Sequence, residues 1–500
     1  MRTNILQYLE ETAARVPEKL SFSDGKDGVS FAELYRGARS IGSFLAEKNC
    51  RRRAVAVLMD KHPHAIVTFM GIIYSGAYYV ALDAQMPSLR MQMIIDTIDP
   101  AYVITDEKHR KSADALGREV LIYNDIVNHP ENSGLLGEIR AHQIDTDPIY
   151  VVFTSGSTGV PKGVAACHRS VIDYTESLCE AIGFDENTVF GNQTPLYFDA
   201  PLKEIMPTLK FGATAYLIPK QLFMFPVKLC EYLNEHGVNT ICWVVSALTM
   251  ISSLGVLEKT PPKNLTTVCF GSEVFPKKQY DLWRAALPEA RFFNLYGPTE
   301  ATGMSCYWPA TRTLGENEPI PVGKPFKNTD IFLITDEGKE APQGEVGEIY
   351  IRGTCVTLGY ISNPEKTAEA FVQNPLNDKY PELVYRTGDL GRFNSYGELE
   401  FVSRKDSQIK HMGHRIELGE IEAAASTCDG VRQVCAVYPA EKKKIVLYYV
   451  GEATSAELTA YLLKLVPRYM IPGEYRKLDV MPLTANCKIN RKFLLDEANK

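Results

Sequence analysis

The chain has 500 residues, a net charge of −7, and a composition of 45% hydrophobic and 23% charged residues. This length is more than one compact core usually serves, so at least two domains are expected. The acidic balance gives no reason to expect a nucleic-acid partner. No apolar run approaches the ~20 residues of a membrane span, and the N-terminus lacks the apolar segment of a signal peptide. We therefore expect no membrane insertion.

The 11 cysteines are scattered, and no two of them form a Cys-x-x-Cys pair. An odd, unclustered set in a large chain is typical of reduced thiols rather than of a disulfide framework or a zinc site. We therefore expect a cytoplasmic protein.

Apolar strand-like runs alternate with helix-like stretches through the first 300 residues. Runs this apolar are typical of strands buried on both faces, as in parallel sheets covered by helices. A helical period is clear at 91–98. The strand predictions lie at 53–59, 101–105, 240–245 and 265–270.

The segment after the apolar run 150–153 combines glycines, hydroxyls and a lysine. Glycines let backbone amides approach an anion, hydroxyls add donors and the lysine adds charge. The segment is not a Walker A loop, because Pro161 and Gly163 stand where that motif needs Gly and Ser or Thr. The segment is therefore either a flexible surface loop or a phosphate-binding loop. The candidate phosphate-binding residues are Thr154, Ser155, Gly156, Ser157, Thr158, Gly159 and Lys162.

The predicted secondary-structure elements become shorter between about residues 320 and 400. The apolar run 331–334 precedes Asp336-Glu337-Gly338, which is a hairpin-like turn signal. This predicts an antiparallel β subdomain. The polar segment 403–408 that follows is, by composition alone, simply a loop.

Further motifs follow the glycine-rich segment in a fixed order: 197–199 (YFD), 294–300 (NLYGPTE), 347–353 (GEIYIRG), 385–390 (YRTGDL), 413–422 (GHRIELGEIE) and 486–488 (NCK). Together they resemble the adenylate-forming superfamily, which comprises acyl- and aryl-CoA synthetases, luciferase and amino-acid adenylation domains. The resemblance covers nearly the whole chain. It implies an α/β fold with a large N-terminal domain of helix-covered sheets plus a β subdomain (1–404) and a small mobile α+β C-terminal lid (405–500).

The resemblance also implies an ATP site with Mg²⁺. Glu300 is the expected magnesium ligand, because magnesium prefers hard carboxylate oxygen. Asp389 would accept the ribose hydroxyls, although a lone aspartate in Thr-Gly-Asp is more simply a turn residue. The other ATP-binding residues implied, besides the phosphate loop, are Gly271, Ser272, Glu273, Asn294, Tyr296, Gly297, Thr299 and Arg404.

Three residues of the predicted lid receive roles from the resemblance. Lys488 matches the catalytic lysine that bridges the substrate carboxylate and the α-phosphate. Asp406 matches the hinge residue, and Gly413 matches the glycine that keeps a pantetheine tunnel open. The family usually has Asn-Gly-Lys where this chain has Asn486-Cys487-Lys488. A positive φ at Cys487 would add ~1–2 kcal/mol of strain.

Asp199 separates the subfamilies, because in amino-acid-activating members an aspartate here pairs with the substrate ammonium. A buried ammonium needs such a partner. The alternative for Asp199 is a helix N-cap. The substrate-pocket positions implied are Phe198, Asp199, Ala200, Trp243, Val268, Phe270, Leu295, Gly303 and Met304.

Trp243, Phe270 and Met304 are bulky and predict a small pocket. Lys203 either lines this pocket and favours an acidic or polar side chain, or forms an i,i+4 pair with Asp199, which is the interpretation we favour. The stretch 241–244 and the chain length resemble the D-alanine–carrier protein ligases, so D-alanine is the first expected substrate.

No phosphopantetheine attachment motif follows Lys488, so the expectation is a stand-alone, AMP-forming ligase. It would transfer the activated amino acid to the phosphopantetheine thiol of a separate carrier protein. The alternatives are a CoA ligase for a small carboxylic acid, against which Asp199 argues, and a non-catalytic nucleotide-binding relative.

Overall fold

The computed structural model describes residues 2–156, 159–315, 318–484 and 489–500. The α-helices are α1 (Leu6–Arg15), α2 (Phe31–Glu47), α3 (Pro63–Tyr74), α4 (Ser88–Ile98), α5 (Arg110–Asp114), α6 (Tyr123–Ile126), α7 (Ser133–His142), α8 (His168–Ile182), α9 (Leu202–Phe211), α10 (Pro226–Glu235), α11 (Val245–Ser253), α12 (Val256–Lys259), α13 (Lys277–Ala286), α14 (Pro364–Ala370), α15 (Leu418–Ser426), α16 (Ser455–Leu462) and α17 (Arg491–Asn499).

The strands are β1 (Leu20–Ser23), β2 (Gly28–Ser30), β3 (Ala54–Leu58), β4 (Tyr78–Leu82), β5 (Tyr102–Thr105), β6 (Val120–Ile122), β7 (Pro148–Thr154), β8 (Lys162–Cys167), β9 (Val189–Asn192), β10 (Thr214–Leu217), β11 (Thr240–Val244), β12 (Thr267–Gly271), β13 (Arg291–Tyr296), β14 (Cys306–Pro309), β15 (Lys324–Pro325), β16 (Thr329–Ile334), β17 (Gly347–Gly353), β18 (Phe371–Gln373), β19 (Leu383–Phe393), β20 (Leu399–Arg404), β21 (Gln408–His411), β22 (His414–Glu417), β23 (Val431–Val437), β24 (Val446–Gly451) and β25 (Glu474–Lys477).

The chain divides into two compact units. The first comprises Met1–Ala84, Ile98–Val152 and Val164–Lys405, and the second comprises Gln85–Thr97, Phe153–Gly163 and Asp406–Lys500. The main division falls between Lys405 and Asp406, within the polar segment that the sequence marks. The two short segments of the second unit lie far upstream in sequence, and no change of composition indicates them.

The first unit contains two helix-covered sheets, as the apolar runs predict. A six-stranded sheet has the order β6-β5-β3-β4-β7-β8, and a nine-stranded sheet has the order β15-β14-β13-β12-β11-β9-β10-β1-β2. Their central strands pair in parallel. One large apolar core joins both sheets with α1, α2, α3, α8 and α9. A second core lies on the opposite face of the nine-stranded sheet and includes α10, α11 and α13.

The first unit also holds the predicted β subdomain. β16, β17, β19 and β18 form an antiparallel sheet, with β20 paired to β19. The chain reverses after β16, where Ile334 bridges Glu340 and Gly338 has a φ of 76°. This reversal confirms the turn expected at 336–338.

The second unit is α+β. The two-stranded β21-β22 hairpin turns at Met412 and Gly413, both with positive φ (52° and 79°). Such a two-residue turn matches the twist of the strands and favours glycine. β23, β24 and β25 form a three-stranded sheet against which α15 and α16 bury apolar side chains. None of the helices in the described ranges is long and apolar enough to cross a membrane.

Candidate active site

The candidate site of the first unit lies beyond the carboxyl ends of parallel strands. β9, β11, β12 and β13 are neighbours in the nine-stranded sheet, and they run parallel. The motif segments 197–199, 271–273 and 297–300 follow the ends of β9, β12 and β13. Loops at this edge of an open α/β sheet are where ligands bind, so the fold gathers these motifs into one place.

Asp389 is held from two sides. β19 carries Asp389 directly opposite Arg404 of β20. An Arg404 Nη1–H donates to Asp389 Oδ1 at 2.5 Å, and the Tyr296 hydroxyl donates to Oδ2 at 2.5 Å. The carboxylate is 3% exposed. Each oxygen keeps further acceptor capacity, so this rigid carboxylate can also accept a pair of hydroxyl groups.

Glu300 lies in the short 3₁₀ turn Thr299–Ala301 and is fully buried. The Tyr360 hydroxyl donates to its Oε1 at 2.7 Å, and its backbone oxygen accepts from the Thr357 amide at 3.0 Å. A single oriented carboxylate suits magnesium, which keeps several waters and completes its shell with phosphate oxygens. We call Tyr296, Glu300, Tyr360, Asp389 and Arg404 the nucleotide cluster.

Two glycines of the motifs are required by close backbone contacts. A Cβ on Gly297 would stand 2.4 Å from the Met304 Cα, and one on Gly271 would stand 2.3 Å from the Leu295 backbone oxygen. Ser272 follows with a φ of 68°, a left-handed conformation that is uncommon outside glycine.

Two of the predicted adenine neighbours have structural partners. The Asn294 side-chain amide donates to the Pro321 backbone oxygen at 2.8 Å. The Glu273 carboxylate accepts from the Ser246 amide at 2.7 Å, in the first turn of α11. Their contacts with adenine stay predictions.

Asp199 is half-buried beside the 3₁₀ turn. Burial raises the pKa of its carboxyl above the usual range, and a hydrogen bond from Thr299 and the charge of Lys203 oppose this effect. Helix α9 begins at Leu202 with Pro201 at its N-cap and no side-chain cap. The N-cap alternative for Asp199 is therefore wrong. Gly303 adjoins the carboxylate, since a Cβ there would lie 3.6 Å from Asp199 Oδ2.

The predicted pocket residues divide between the two faces of the sheet. Trp243, Val268 and Phe270 belong to the core under α11 and α13, and Leu295 and Met304 belong to the core that includes α9. The Trp243 indole donates to the Gly191 backbone oxygen at 2.6 Å. Phe198 and Ala200 flank Asp199 in the loop before α9. The three bulky residues therefore do not form one closed wall.

Cys242 and Cys269 occupy the strand positions that face the α9 side. They are paired neighbours on β11 and β12 and share the core with Leu295 and Met304. The family motifs do not indicate them, because the pocket positions that the resemblance implies alternate with them along each strand. The period of two along a strand was the signal that could have identified them.

Lys203 and Glu204 begin α9 and are buried, at 5% and 1% exposed. The expected ion pair between Lys203 and Asp199 is not formed, and no hydrogen bond from the Lys203 ammonium to any described residue is present. Glu204 Oε2 accepts from the Asn192 side chain at 3.4 Å, while Glu204 Oε1 and Asn192 Oδ1 have no partner among the described residues.

Lys61 completes this group. Its ammonium donates to the backbone oxygens of Asn192 (3.1 Å) and Gln193 (2.9 Å). Burial lowers the pKa of Lys61 to about 7, against the opposing charge of Glu204. We call Lys61, Asn192, Lys203 and Glu204 the α9 polar cluster. No motif in the sequence indicates Lys61, Asn192 or Glu204.

The phosphate-loop candidates belong to the second unit. A Cβ on Gly156 would lie 2.0 Å from the Val160 backbone oxygen, and Gly159 has a φ of 83°. Both positions therefore need glycine. Ser157 and Thr158 lie outside the described residues.

The loop is bonded to later residues of the same unit. The Ser155 hydroxyl donates to the Arg415 backbone oxygen at 2.9 Å. The Gly156 amide donates to Glu420 Oε2 at 3.2 Å, and Arg90 of α4 pairs with Oε1 of the same carboxylate. An anionic group is thus already bound to a loop amide, which is the chemistry expected of a phosphate loop.

The lid residues are only partly described. Asp406 Oδ1 accepts from the Gln408 amide at 3.0 Å, and Gly413 forms the β21-β22 turn. Cys487 and the predicted catalytic Lys488 lie outside the described residues.

Comparison with known proteins identifies the family. The model of the AMP-binding enzyme family matches residues 9–361, and the chain belongs to this family. Zwittermicin A synthase ZmaJ of Bacillus cereus is 30% identical over 508 residues, which cover 99% of this chain and 95% of that protein.

Other relatives are much longer. Gramicidin S synthase 2 of Brevibacillus brevis is 31% identical over 502 residues, 98% of this chain but 11% of that protein. The chain thus spans about a tenth of that relative. Among solved structures, an artificially fused adenylation–PCP di-domain from Klebsiella oxytoca has a TM-score of 0.82 at 22% identity and covers 94% of this chain and 93% of its own. It supports the α/β adenylation-domain fold.

Proposed function

We propose that the protein activates an amino acid with ATP, forming aminoacyl-AMP and pyrophosphate. The observation that carries this proposal is Asp199, a half-buried carboxylate whose pKa is raised by loss of solvation and which Gly303 adjoins. A buried carboxylate without a cation is costly, and an α-ammonium is the cation that an amino acid brings. The adenylation relatives support the same chemistry.

The reacting groups are the substrate carboxylate and the α-phosphate of ATP. A carboxylate oxygen bonds to the α-phosphorus as the bond to the bridging oxygen breaks, and pyrophosphate leaves. Asp389, oriented by Tyr296 and Arg404, would accept the ribose hydroxyls. Thr299 would donate to the α-phosphate, and the amides and hydroxyls of the phosphate loop, with Lys162, would bind the β- and γ-phosphates.

Two anions meet in this step, so positive charge must be supplied. Glu300 would hold Mg²⁺, which neutralises phosphate charge when bound. Lys488 would bridge the substrate carboxylate and the α-phosphate as a point charge. Tyr360 would fix the Glu300 carboxylate in one orientation.

We further propose that the acyl group passes to the phosphopantetheine thiol of a carrier protein. The thiolate attacks the acyl carbon, a thioester forms and AMP leaves. An adenylation–PCP fusion among the similar structures supports this partner. Asp406 would be the hinge for the change between the two steps, and Gly413 would border the pantetheine path.

D-Alanine is the substrate that the resemblance implies, and it belongs in any first panel with glycine, serine and cysteine. The reason for a small side chain was a wall of three bulky residues. Because Trp243 and Phe270 pack on the other face of the sheet from Met304, that reason is weakened.

ATP–pyrophosphate exchange tests the first step. Each amino acid is assayed beside its deamino analogue, such as alanine with propionate and aspartate with succinate. We expect exchange with at least one amino acid and almost none with its analogue. Exchange with the deamino acid followed by acyl-CoA formation would instead identify a CoA ligase. No exchange with any acid would indicate a non-catalytic relative.

A further inference from the structure

We propose that Arg90 and the Gly156 amide form a phosphate-binding position, and that Glu420 occupies it until a phosphate of ATP or of pyrophosphate displaces the carboxylate. The inference rests on the proposed activation of an amino acid with ATP. It adds Arg90 to the residues that bind phosphate, and it makes Glu420 an internal competitor of the nucleotide.

One carboxylate is bound at this position by two donors. Glu420 Oε1 forms an ion pair with Arg90 Nη1, and Glu420 Oε2 accepts from the Gly156 amide at 3.2 Å. A guanidinium and a backbone amide of a glycine-rich loop are also donors that bind phosphate groups. Because carboxylate and phosphate oxygens accept the same hydrogen bonds, the two anions can occupy this position only in turn.

The ion pair between Arg90 and Glu420 is almost completely buried. Arg90 is 5% exposed and Glu420 is 1% exposed. Burial lowers the pKa of the Arg90 guanidinium below its usual range. A buried cation that is left without an anion is costly. Arg90 therefore needs an anion in every state of the loop, and a phosphate is the anion that can replace Glu420.

The same contact holds the loop against helix α15. Glu420 lies in the first turn of α15, and a Cβ on Gly159 would stand 3.7 Å from the Ala423 Cβ of that helix. These residues and Gly156 all belong to the second unit. Phosphate binding at Gly156 therefore breaks a contact between the loop and α15, and release of pyrophosphate allows the contact to form again.

A purely structural ion pair and an occupied phosphate position predict different behaviour of variants. If the pair only stabilises the loop, removal of either partner weakens phosphate binding. If Glu420 competes with phosphate, removal of its charge strengthens phosphate binding, whereas removal of the Arg90 charge weakens it. The signs of the two effects therefore distinguish the two roles.

The test is calorimetric titration of the full chain with inorganic pyrophosphate, ATP and AMP at one fixed Mg²⁺ concentration. Wild type is compared with Glu420→Gln and Arg90→Met, which keep the approximate size of each side chain and remove its charge. Glu422→Gln is the matched control, because Glu422 lies on the same helix but pairs with Arg491. Thermal unfolding with and without pyrophosphate checks the fold of each variant.

Glu420→Gln should bind pyrophosphate and ATP about 10-fold more tightly than wild type, because a neutral carboxamide competes less well for the two donors. Arg90→Met should bind both ligands at least about 30-fold more weakly, since it removes the cation of the site. Neither variant should change the affinity for AMP, which lacks the β- and γ-phosphates. Glu422→Gln should bind all three ligands as wild type does.

Weaker or unaltered pyrophosphate binding by Glu420→Gln would overturn the inference, as would wild-type pyrophosphate affinity in Arg90→Met. An equal change in the affinity for AMP would also overturn it, because the effect would then not belong to this phosphate position.

Two further provisions keep the test decisive. If Glu420→Gln fails to fold, Glu420→Asp takes its place, since its shorter carboxylate reaches the loop amide less well and should also bind pyrophosphate more tightly. If Arg90→Met fails to fold, the Glu420 variants decide alone. Absence of pyrophosphate exchange with every acid would instead contradict the proposed function, while the pyrophosphate titrations still test the inference.

Discussion

The nucleotide cluster and the α9 polar cluster are both buried, yet they differ in how completely their polar groups are bonded. Both oxygens of Asp389 have donors, and Glu300 has Tyr360. Among the described residues of the α9 polar cluster, one buried oxygen of Glu204 and one buried oxygen of Asn192 have no partner. Buried polar groups are nearly always satisfied, so the contrast points to where a ligand completes the structure.

We interpret this difference as a division between a general part of the proposed site and a selective part. The nucleotide is the same whatever acid is activated, so its cluster can be rigid and complete before binding. The side chain of the acid varies between enzymes, and the unbonded oxygens of Glu204 and Asn192 leave the α9 polar cluster incomplete without a ligand. Four experiments test this division, in decreasing order of effect.

Asp389→Asn should lower kcat/KM for ATP by about 10²-fold or more, because Arg404 is left buried beside a neutral group. The ranking of amino acids should stay as in wild type. Pyrophosphate exchange at varied ATP concentration measures both the kcat/KM for ATP and the ranking of amino acids. Asp281→Asn, which removes an exposed i,i+4 pair on α13, is the matched control. A changed ranking would show that the two clusters are not separable.

Tyr360→Phe should raise the Mg²⁺ concentration needed for half-maximal exchange by about 10-fold. The hydroxyl orients Glu300, and groups that orient a metal ligand typically contribute 10–100-fold to affinity. A magnesium titration measures the change, with the exposed Tyr396→Phe as control. An unaltered magnesium requirement would mean that Glu300 is not the ligand.

Lys203→Met should move the acidic limb of the pH–rate profile, where exchange falls as the pH decreases, to higher pH. In the proposed function the substrate ammonium is bound by ionised Asp199. Burial raises the pKa of Asp199, and the charge of Lys203 partly lowers it. Removing the lysine removes the lowering effect, while Glu300 still raises the pKa. Exchange should therefore be lost at a higher pH as the solution is acidified. An acidic limb at the same pH as in wild type would show that the Lys203 charge does not lower the pKa of Asp199.

Glu204→Gln should be more stable than wild type at pH 8 and similar to it at pH 5. The folded-state pKa of Glu204 is about 8, well above an ordinary glutamate, so wild type loses stability as pH rises from about 4.5 to 8. The variant has no such loss. We expect a Tm increase of about 1–3 °C at pH 8, and an equal difference at both pH values would contradict the assignment.

The sequence predicted the elements and motifs that rest on short-range patterns. The strands at 54–58 and 102–105, the helix at 88–98 and the turn after β16 follow from apolar periodicity and turn residues. It could not predict the segments 85–97 and 153–163 of the second unit, because only long-range packing assigns them there.

The site divides in the same way. Thr299 and Gly303 both lie against the Asp199 carboxylate in the structure, while the ligand roles of these three residues stay predictions. Trp243 and Phe270 pack on the opposite face of the sheet from Met304. The motif positions taken from the resemblance do not indicate on which face of the sheet a strand residue lies. Tyr360 and Lys61 lie in no selected motif, and only the fold brings them to Glu300 and Asn192.

The central claim is that Asp199 recognises the ammonium of an amino acid. Its most direct test is calorimetric binding of a non-hydrolysable aminoacyl-adenylate analogue and of the same analogue without its amine. Wild type should bind the amine-bearing form at least about 10²-fold more tightly, and Asp199→Ala should abolish the difference. Equal dissociation constants for the two analogues in wild type would contradict the account.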